Sequence, residues 1–263
     1  MKFTFNKQFM VLMFLLLNCF ASYGANEDLI TKQITIKLTE AGTLPDKIVS
    51  SKKKLVTNLK IIGEINGTDL CFIRDMAGCG WKGNSTSGYL SVLDLSEARF
   101  VAGGDYYYMT PNGNCCYTSN DIIGKYAFYG CRSLTSVNIP SRVTWIGEWA
   151  FAGCRGLRSV YVYAYVYPGA VPSMGAGAFN GFDSKNCTLY VPKGTYDAYR
   201  YLWGDYFDNI VEFDATNIRN IVAEPEVQEN ARYAVNGQRL TAPVKGINLV
   251  KYNNGRVKKE IVK

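Results

Sequence analysis

The sequence predicts an α/β solenoid, mainly β with short helical turns. It would be a short parallel strand ladder, capped at both ends and followed by a small C-terminal β module. Three observations predict it. First, residues 123–139, IGKYAFYGCRSLTSVNI, and 146–162, IGEWAFAGCRGLRSVYV, agree at ten of seventeen positions without a gap, where unrelated segments would share about one. The offset is 23 residues, and a weaker copy at 174–191, MGAGAFNGFDSKNCTLYV, keeps Ala178-Phe179, Gly181 and Leu189-Tyr190-Val191. Self-similarity at this period marks stacked units, none of which buries its apolar face alone. Second, the spacing Leu-x-x-Leu-x-Leu recurs outside these copies. Third, the last ~35 residues change character, with Asn236-Gly237 and Asn254-Gly255 as hairpin turns between alternating segments.

Taken in order, Met1–Gly24 is set apart. Lys2 and Lys7 precede an apolar run from Phe9 to Leu17, and Ser22-Tyr23-Gly24 follows. This is the pattern of a cleaved secretion signal. The run is too short to span a bilayer, and no later segment is apolar enough for a transmembrane span. A lipid anchor on Cys19 is disfavoured by Asn18 before it and Phe20 after it. Residues 25–55 form an N-terminal cap, with Ile34, Ile36 and Leu38 alternating as an edge strand does and Leu44–Val49 as a short helix. The ladder spans 56–194. Its inward positions are Val56, Leu59 and Ile61, then Leu90, Leu93 and Leu95, then Leu134, Val137 and Ile139, then Leu157, Val160 and Val162, closing with Leu189 and Val191. Pro140 and Pro192 lie at strand ends, where a missing N–H does little harm.

The stretch before each repeat strand is expected to be an outer turn with Ala127, Phe128, Ala150 and Phe151 packed inward. An insert at about 97–120, rich in turn formers and tyrosine, interrupts the ladder. Residues 195–213 make the closing cap. Its helix at 195–203 turns Tyr196, Tyr199, Leu202 and Trp203 inward, and Ile210–Phe213 is the last strand. Residues 214–225 link to the small β module at 226–263, whose strands are Ala231–Val235, Gln238–Leu240, Ile247–Tyr252 and Val257–Val262.

Charge and cysteine content exclude several functions. The formal charge of +7 falls to +5 without Lys2 and Lys7, and residues 245–263 alone carry six cations against Glu260. The rest of the chain is therefore about neutral, which disfavours a nucleic-acid reader with a basic stripe on its main fold. The chain contains no histidine, so Ser-His and Cys-His catalysis are excluded. A carboxylate pair is conceivable among Asp94, Glu97 and Asp105, but their spacing does not by itself bring two of them together, and no catalytic residue, cofactor or enzyme activity is expected. Seven cysteines remain after residue 24. Cys131 and Cys154 share a repeat position and are expected to stack as small buried hydrophobes. A disulfide in the insert, from Cys115 or Cys116 to Cys71 or Cys79, is favoured over zinc, because no Cys-x-x-Cys occurs.

The motif IG-x-x-AF-x-GC-x-x-L-x-S-V-x-I closely resembles the leucine-rich repeats of the BspA-like class, found in secreted and surface proteins of Bacteroides-type bacteria. LKIIGEINGTDLCFIRDMAG at 59–78, LSVLDLSEARFVAGG at 90–104 and LYVPKGTYDAYRYLWGDYFDNIVEF at 189–213 are similar to the N-terminal portions and closing caps of those proteins. The C-terminal module resembles β modules that Bacteroidetes append to exported proteins, some of them sorting signals. The resemblance implies an adhesive or ligand-binding role at the cell surface, without catalysis. It assigns no residue-level site.

The strand pattern supplies candidate site residues. The residue between the last two inward positions of each strand faces outward, giving Lys60, Asp94, Asn138, Tyr161 and Tyr190 at a rung spacing of about 4.8 Å. Tyr163 extends the same face. Exposed tyrosines offer broad contact area and one hydrogen bond each, which suits a protein or glycan partner. Tyr106–Tyr108 either rims this surface or packs the insert against the ladder, and Trp145 and Trp149 belong to the outer layer. The expectation is a secreted or cell-surface leucine-rich-repeat binding protein, with a non-catalytic structural or assembly component of the cell envelope as the alternative.

Overall fold

The computed structural model describes residues 28–164, 171–215, 229–252 and 257–262. The secretion segment, Cys19, most of the linker and the Asn254-Gly255 turn lie outside them. The chain divides into two compact units between Phe213 and Asp214.

The first unit is built on a parallel ladder. Its strands are β1 (Ile34–Lys37), β2 (Asn58–Ile65), β3 (Val92–Phe100), β7 (Ser136–Ile139), β9 (Ser159–Val162), β11 (Thr188–Pro192) and β12 (Asn209–Phe213), adjacent in that order. Every pairing within it is parallel. The fourteen inward residues read from the sequence are all fully buried, from Val56 through Val191. The unit is mainly β with few helices, as expected.

A second, three-stranded parallel ladder joins β6 (Ile122–Ile123), β8 (Trp145–Ile146) and β10 (Ser173–Met174). Between the two ladders each repeat makes a turn that bonds to the next: Phe128 N–H donates to Ala150 O at 2.6 Å, and Phe151 N–H to Ala178 O at 2.7 Å. Phe128, Phe151 and Phe179 consequently stack with centroids 4.9 Å apart at both steps, which matches the rung spacing. Phe179 lies 28 rather than 23 residues beyond Phe151, and the extra residues fall between β9 and β10. The degenerate copy thus keeps its rung. Gly130, Gly153 and Gly181 occupy one repeat position with φ of 71°, 75° and 80°, a conformation glycine adopts without the cost a side chain incurs.

Cys131 and Cys154 are buried as expected, and Cys154 Sγ donates to Phe128 O. Among the described residues no disulfide forms: all seven cysteines from Cys71 to Cys187 are free. The insert carries Cys115 and Cys116. It folds as a hairpin of β4 (Gly103–Met109) and β5 (Cys115–Thr118) whose register puts Cys115 opposite Met109 and Cys116 opposite Tyr108. Cys79 meanwhile is held by Arg74 and Gly80.

The caps close the ladder from both ends. At the start, α1 (Leu44–Lys47) is followed by α2 (Gly67–Met76), a helix the sequence reading did not place. Buried Asp69 accepts from the N–H groups of Gly42, Leu44 and Asn66 at 2.6, 2.9 and 3.0 Å, tying the two helix starts together. Gly67 permits the hairpin to dock, since a Cβ there would collide with the Asp105 carbonyl. At the end, α3 (Tyr196–Trp203) buries Tyr199 and Trp203, with Trp203 Nε1 donating to Pro172 O at 3.0 Å. Tyr196 and Leu202 were expected inward but are exposed. Phe207 takes over, with its ring 5.0 Å from Phe179 at the end of the phenylalanine stack.

The second unit is a four-stranded antiparallel sheet in the order β14 (Arg239–Leu240), β13 (Glu229–Ala234), β15 (Gly246–Tyr252) and β16 (Val257–Val262). Gly237, at φ 86°, makes the β13–β14 turn where Asn236-Gly237 predicted it.

Candidate functional site

The outward row is continuous in register. Lys60 pairs with Asp94, Asp94 with Asn138, Asn138 with Tyr161, and Tyr161 with Tyr190. Thr35 and Val211 extend it at the two ends. A parallel in-register ladder places equivalent side chains one rung apart, which is why five positions scattered over 131 residues form one line.

The two ends of this line differ in chemistry. At the N-terminal end, Lys60 is 1% exposed although it lies on the outer side of the sheet. Its Nζ sits 2.8 Å from Glu97 Oε1 and 3.6 Å from Asp94 Oδ2. The register of β2 on β3 slips between Lys60 and Ile62, so that Ile62 faces Glu97. This irregularity brings the Glu97 carboxylate over the ammonium. Asp94 is itself 6% exposed and accepts from Ser96 N–H at 2.9 Å. Two of the five sequence-derived positions are therefore occupied with each other and offer little to solvent.

At the C-terminal end the row is aromatic and half-open. Tyr161 and Tyr190 stack at 4.3 Å with planes 7° apart. Phe213 stands edge-on to Tyr161 at 5.9 Å and to Tyr163 at 5.4 Å. Partial burial raises the Tyr161 hydroxyl above its ordinary range, with the Tyr190 hydroxyl adding to the shift. Burial raises Tyr163 further, helped by the Asp94 carboxylate and by Tyr161. Both hydroxyls therefore stay protonated at neutral pH and are available as donors and acceptors. Below the tyrosines, Ser159 Oγ donates to Ser136 Oγ at 2.9 Å, and Thr188 is the next residue in that lower row. The face presents hydroxyls and ring edges, with Asn138 joining the aromatic end to the charged one.

Phe213 was missed as a site residue. Its signal was the alternation Val211, Phe213 on the strand already assigned, one rung beyond Tyr190.

The remaining aromatic candidates are structural. Tyr107 and Tyr108 are buried, with Tyr107 Oη donating to Lys125 O at 2.8 Å and Tyr108 packed on Tyr126 and Tyr129. Tyr106 lies between Trp81 and Tyr117. The run packs the insert and does not rim the candidate face.

A second feature escaped the sequence reading. Arg74 of α2 is fully buried, and no carboxylate among the described residues pairs with it. Its Nη1 donates to the carbonyls of Tyr126 and Ala127 at 2.8 and 2.9 Å. Its Nη2 donates to those of Gly80 and Tyr129 at 3.2 Å, and its guanidinium lies over the Tyr108 ring. The cap is thus fastened to the first repeat turn through the carbonyls of Tyr126, Ala127 and Tyr129, the first of which also accepts from Tyr129 N–H. The signal was available: Leu70, Ile73, Arg74 and Ala77 share one helix face, which puts the arginine on the apolar stripe.

Among the described residues there is no group of three or more side chains fit to hold a metal ion, and no helix is long and apolar enough to cross a membrane. Residues 117–203 match the BspA type leucine-rich repeat region in six copies, which supports reading the chain as a BspA-like repeat protein. No curated protein matches the chain.

Proposed function

We propose that this protein is a secreted or cell-surface binding protein that takes a host protein or glycan on the outward face of its ladder, around Asn138, Tyr161, Tyr163, Tyr190 and Phe213. The BspA-type repeats support a binding role in general, and the stacked Tyr161–Tyr190 pair carries the choice of face. Side chains already stacked lose little freedom when a partner closes over them, so their contact area is converted to affinity with little entropic cost. Lys60 and Asp94 bound this site and hold its shape without touching the ligand.

The test is a screen of immobilised chain, from residue 25 onward, against matrix proteins and glycans. A partner whose affinity falls at least tenfold with Tyr161→Ala plus Tyr190→Ala supports the face. Partners that bind the double variant unchanged place recognition elsewhere. The neutralised, buried Lys60–Asp94 end favours the second reading, a structural component of the envelope, because it shortens the open part of the row. In that case no soluble partner is found, and deleting residues 214–263 displaces the protein from the cell fraction it occupies.

A further inference from the structure

The C-terminal sheet sorts its side chains by face. Strand pairing puts Arg232, Asn248, Val250, Lys258 and Glu260 on one side. There Arg232 is held by Glu229 at 2.7 Å, by Glu260 at 2.9 Å and by Asn248 Oδ1 at 3.4 Å, and Val250 is fully buried. The side chains of both acids in the sheet turn to Arg232 on this side. The opposite side carries Tyr233 beside Leu249 and Ile247 beside Ile261, with Arg239, Lys251, Val257 and Lys259 around them.

That opposite side is open. Ile261 is 73% exposed and Val257 62%, and Ile247 is exposed too. Among the described residues, Arg239, Lys251 and Lys259 make no ion pair. An apolar centre ringed by unpaired cations, with no acid on the same face, is complementary to a surface that is anionic and apolar at once. We infer that this sheet face docks on an anionic lipid surface, with Ile247, Leu249, Val257 and Ile261 entering the headgroup–acyl boundary and Arg239, Lys251 and Lys259 meeting the phosphates. A soluble polyanion would use the cations alone and leave the apolar centre in water.

The chain from Ala25 retains every described residue and lacks the apolar N-terminal segment, which would itself partition into lipid. Its sedimentation is measured with phosphatidylcholine vesicles and with vesicles of equal parts phosphatidylcholine and phosphatidylglycerol. Binding is expected only to the latter. Lys251→Gln and Lys259→Gln should each weaken it about fivefold, the contribution of one cation near an anionic leaflet. Lys258→Gln, the same charge change on the opposite face, should leave binding little altered. Ile261→Ser, at a position too exposed to matter for folding, should weaken it as well. The inference is overturned if Lys258→Gln matches Lys259→Gln, since the tail then acts by charge alone. It is also overturned if Ile261→Ser has no effect while dextran sulfate displaces the protein fully, since the ligand is then a hydrophilic polyanion.

Discussion

Tyr161 stacks face to face on Tyr190, with ring centroids 4.3 Å apart, because the two are register partners on adjacent parallel strands. Stacked pairs of this kind contribute about 0.5–1.5 kcal/mol beyond the area they bury. A double-mutant cycle of Tyr161→Ala and Tyr190→Ala, read from denaturant midpoints, should give a coupling of about 1 kcal/mol. Additive single-site effects would mean that the two rings do not stabilise each other in solution.

Lys60 behaves differently from an exposed lysine. A buried ion pair stabilises little by itself, yet stranding one partner costs about 3–5 kcal/mol. Lys60→Met combined with Asp94→Asn, which removes both buried charges and leaves only the half-exposed Glu97, should therefore be nearly neutral in thermal stability, while Asp94→Asn combined with Glu97→Gln, which leaves the ammonium buried among uncharged groups, should destabilise by about that amount. Equal losses from both changes would show that the lysine's packing matters more than its charge.

Arg74 makes the strongest demand on one side chain. Arg74→Met would leave the carbonyls of Tyr126, Ala127, Gly80 and Tyr129 without this donor, at about 1–3 kcal/mol for each that stays buried and unpaired. Arg74→Lys should rescue little, because one ammonium cannot span acceptors that the planar fork reaches from two nitrogens. Hydrogen exchange would place the damage at 124–131. Protection lost only in α2 would mean that the cap and the first repeat turn hold independently.

The ladder was legible because its determinants are local and periodic. A 23-residue repeat and a Leu-x-x-Leu-x-Leu spacing settle which residues point inward, and place Phe128 and Phe151 at one repeat position; Phe179, 28 residues further on, is matched only by the Ala-Phe-x-Gly it shares with them. Burial on the outward side was not legible. The alternation assigned Lys60 to that side as an open position, yet it is covered, through a register slip that brings Glu97 over it. A period of two contains no information about such slips. The insert hairpin hides its docking for a related reason: Tyr107 and Tyr108 are adjacent yet both buried, since the β4–β5 pairing is irregular between Gly103 and Tyr108. Arg74 was missed because a charge normally argues for solvent, and only its carbonyl partners, distant in sequence, reverse that.

The buried thiols give the chain a defined weakness to alkali. Burial pushes Cys131 and Cys187 up to about 12 and Cys154 well above its ordinary value, so all three stay protonated in the folded state. In the unfolded chain they ionise near 9. Between these values the folded state binds more protons than the unfolded one, so stability is fully present below about pH 9 and falls as pH rises towards 12. For Cys131 the loss at about pH 10.5 is about 2 kcal/mol. Denaturant midpoints at pH 8 and 10.5 measure it, and Cys131→Ala should flatten the dependence while lowering stability at both. Iodoacetamide at pH 8 gives an independent readout: exposed Cys115 should be modified in the native protein, and Cys131, Cys154 and Cys187 only after unfolding. Early modification of Cys131 would mean that the repeat stack opens far more readily than a packed phenylalanine column permits.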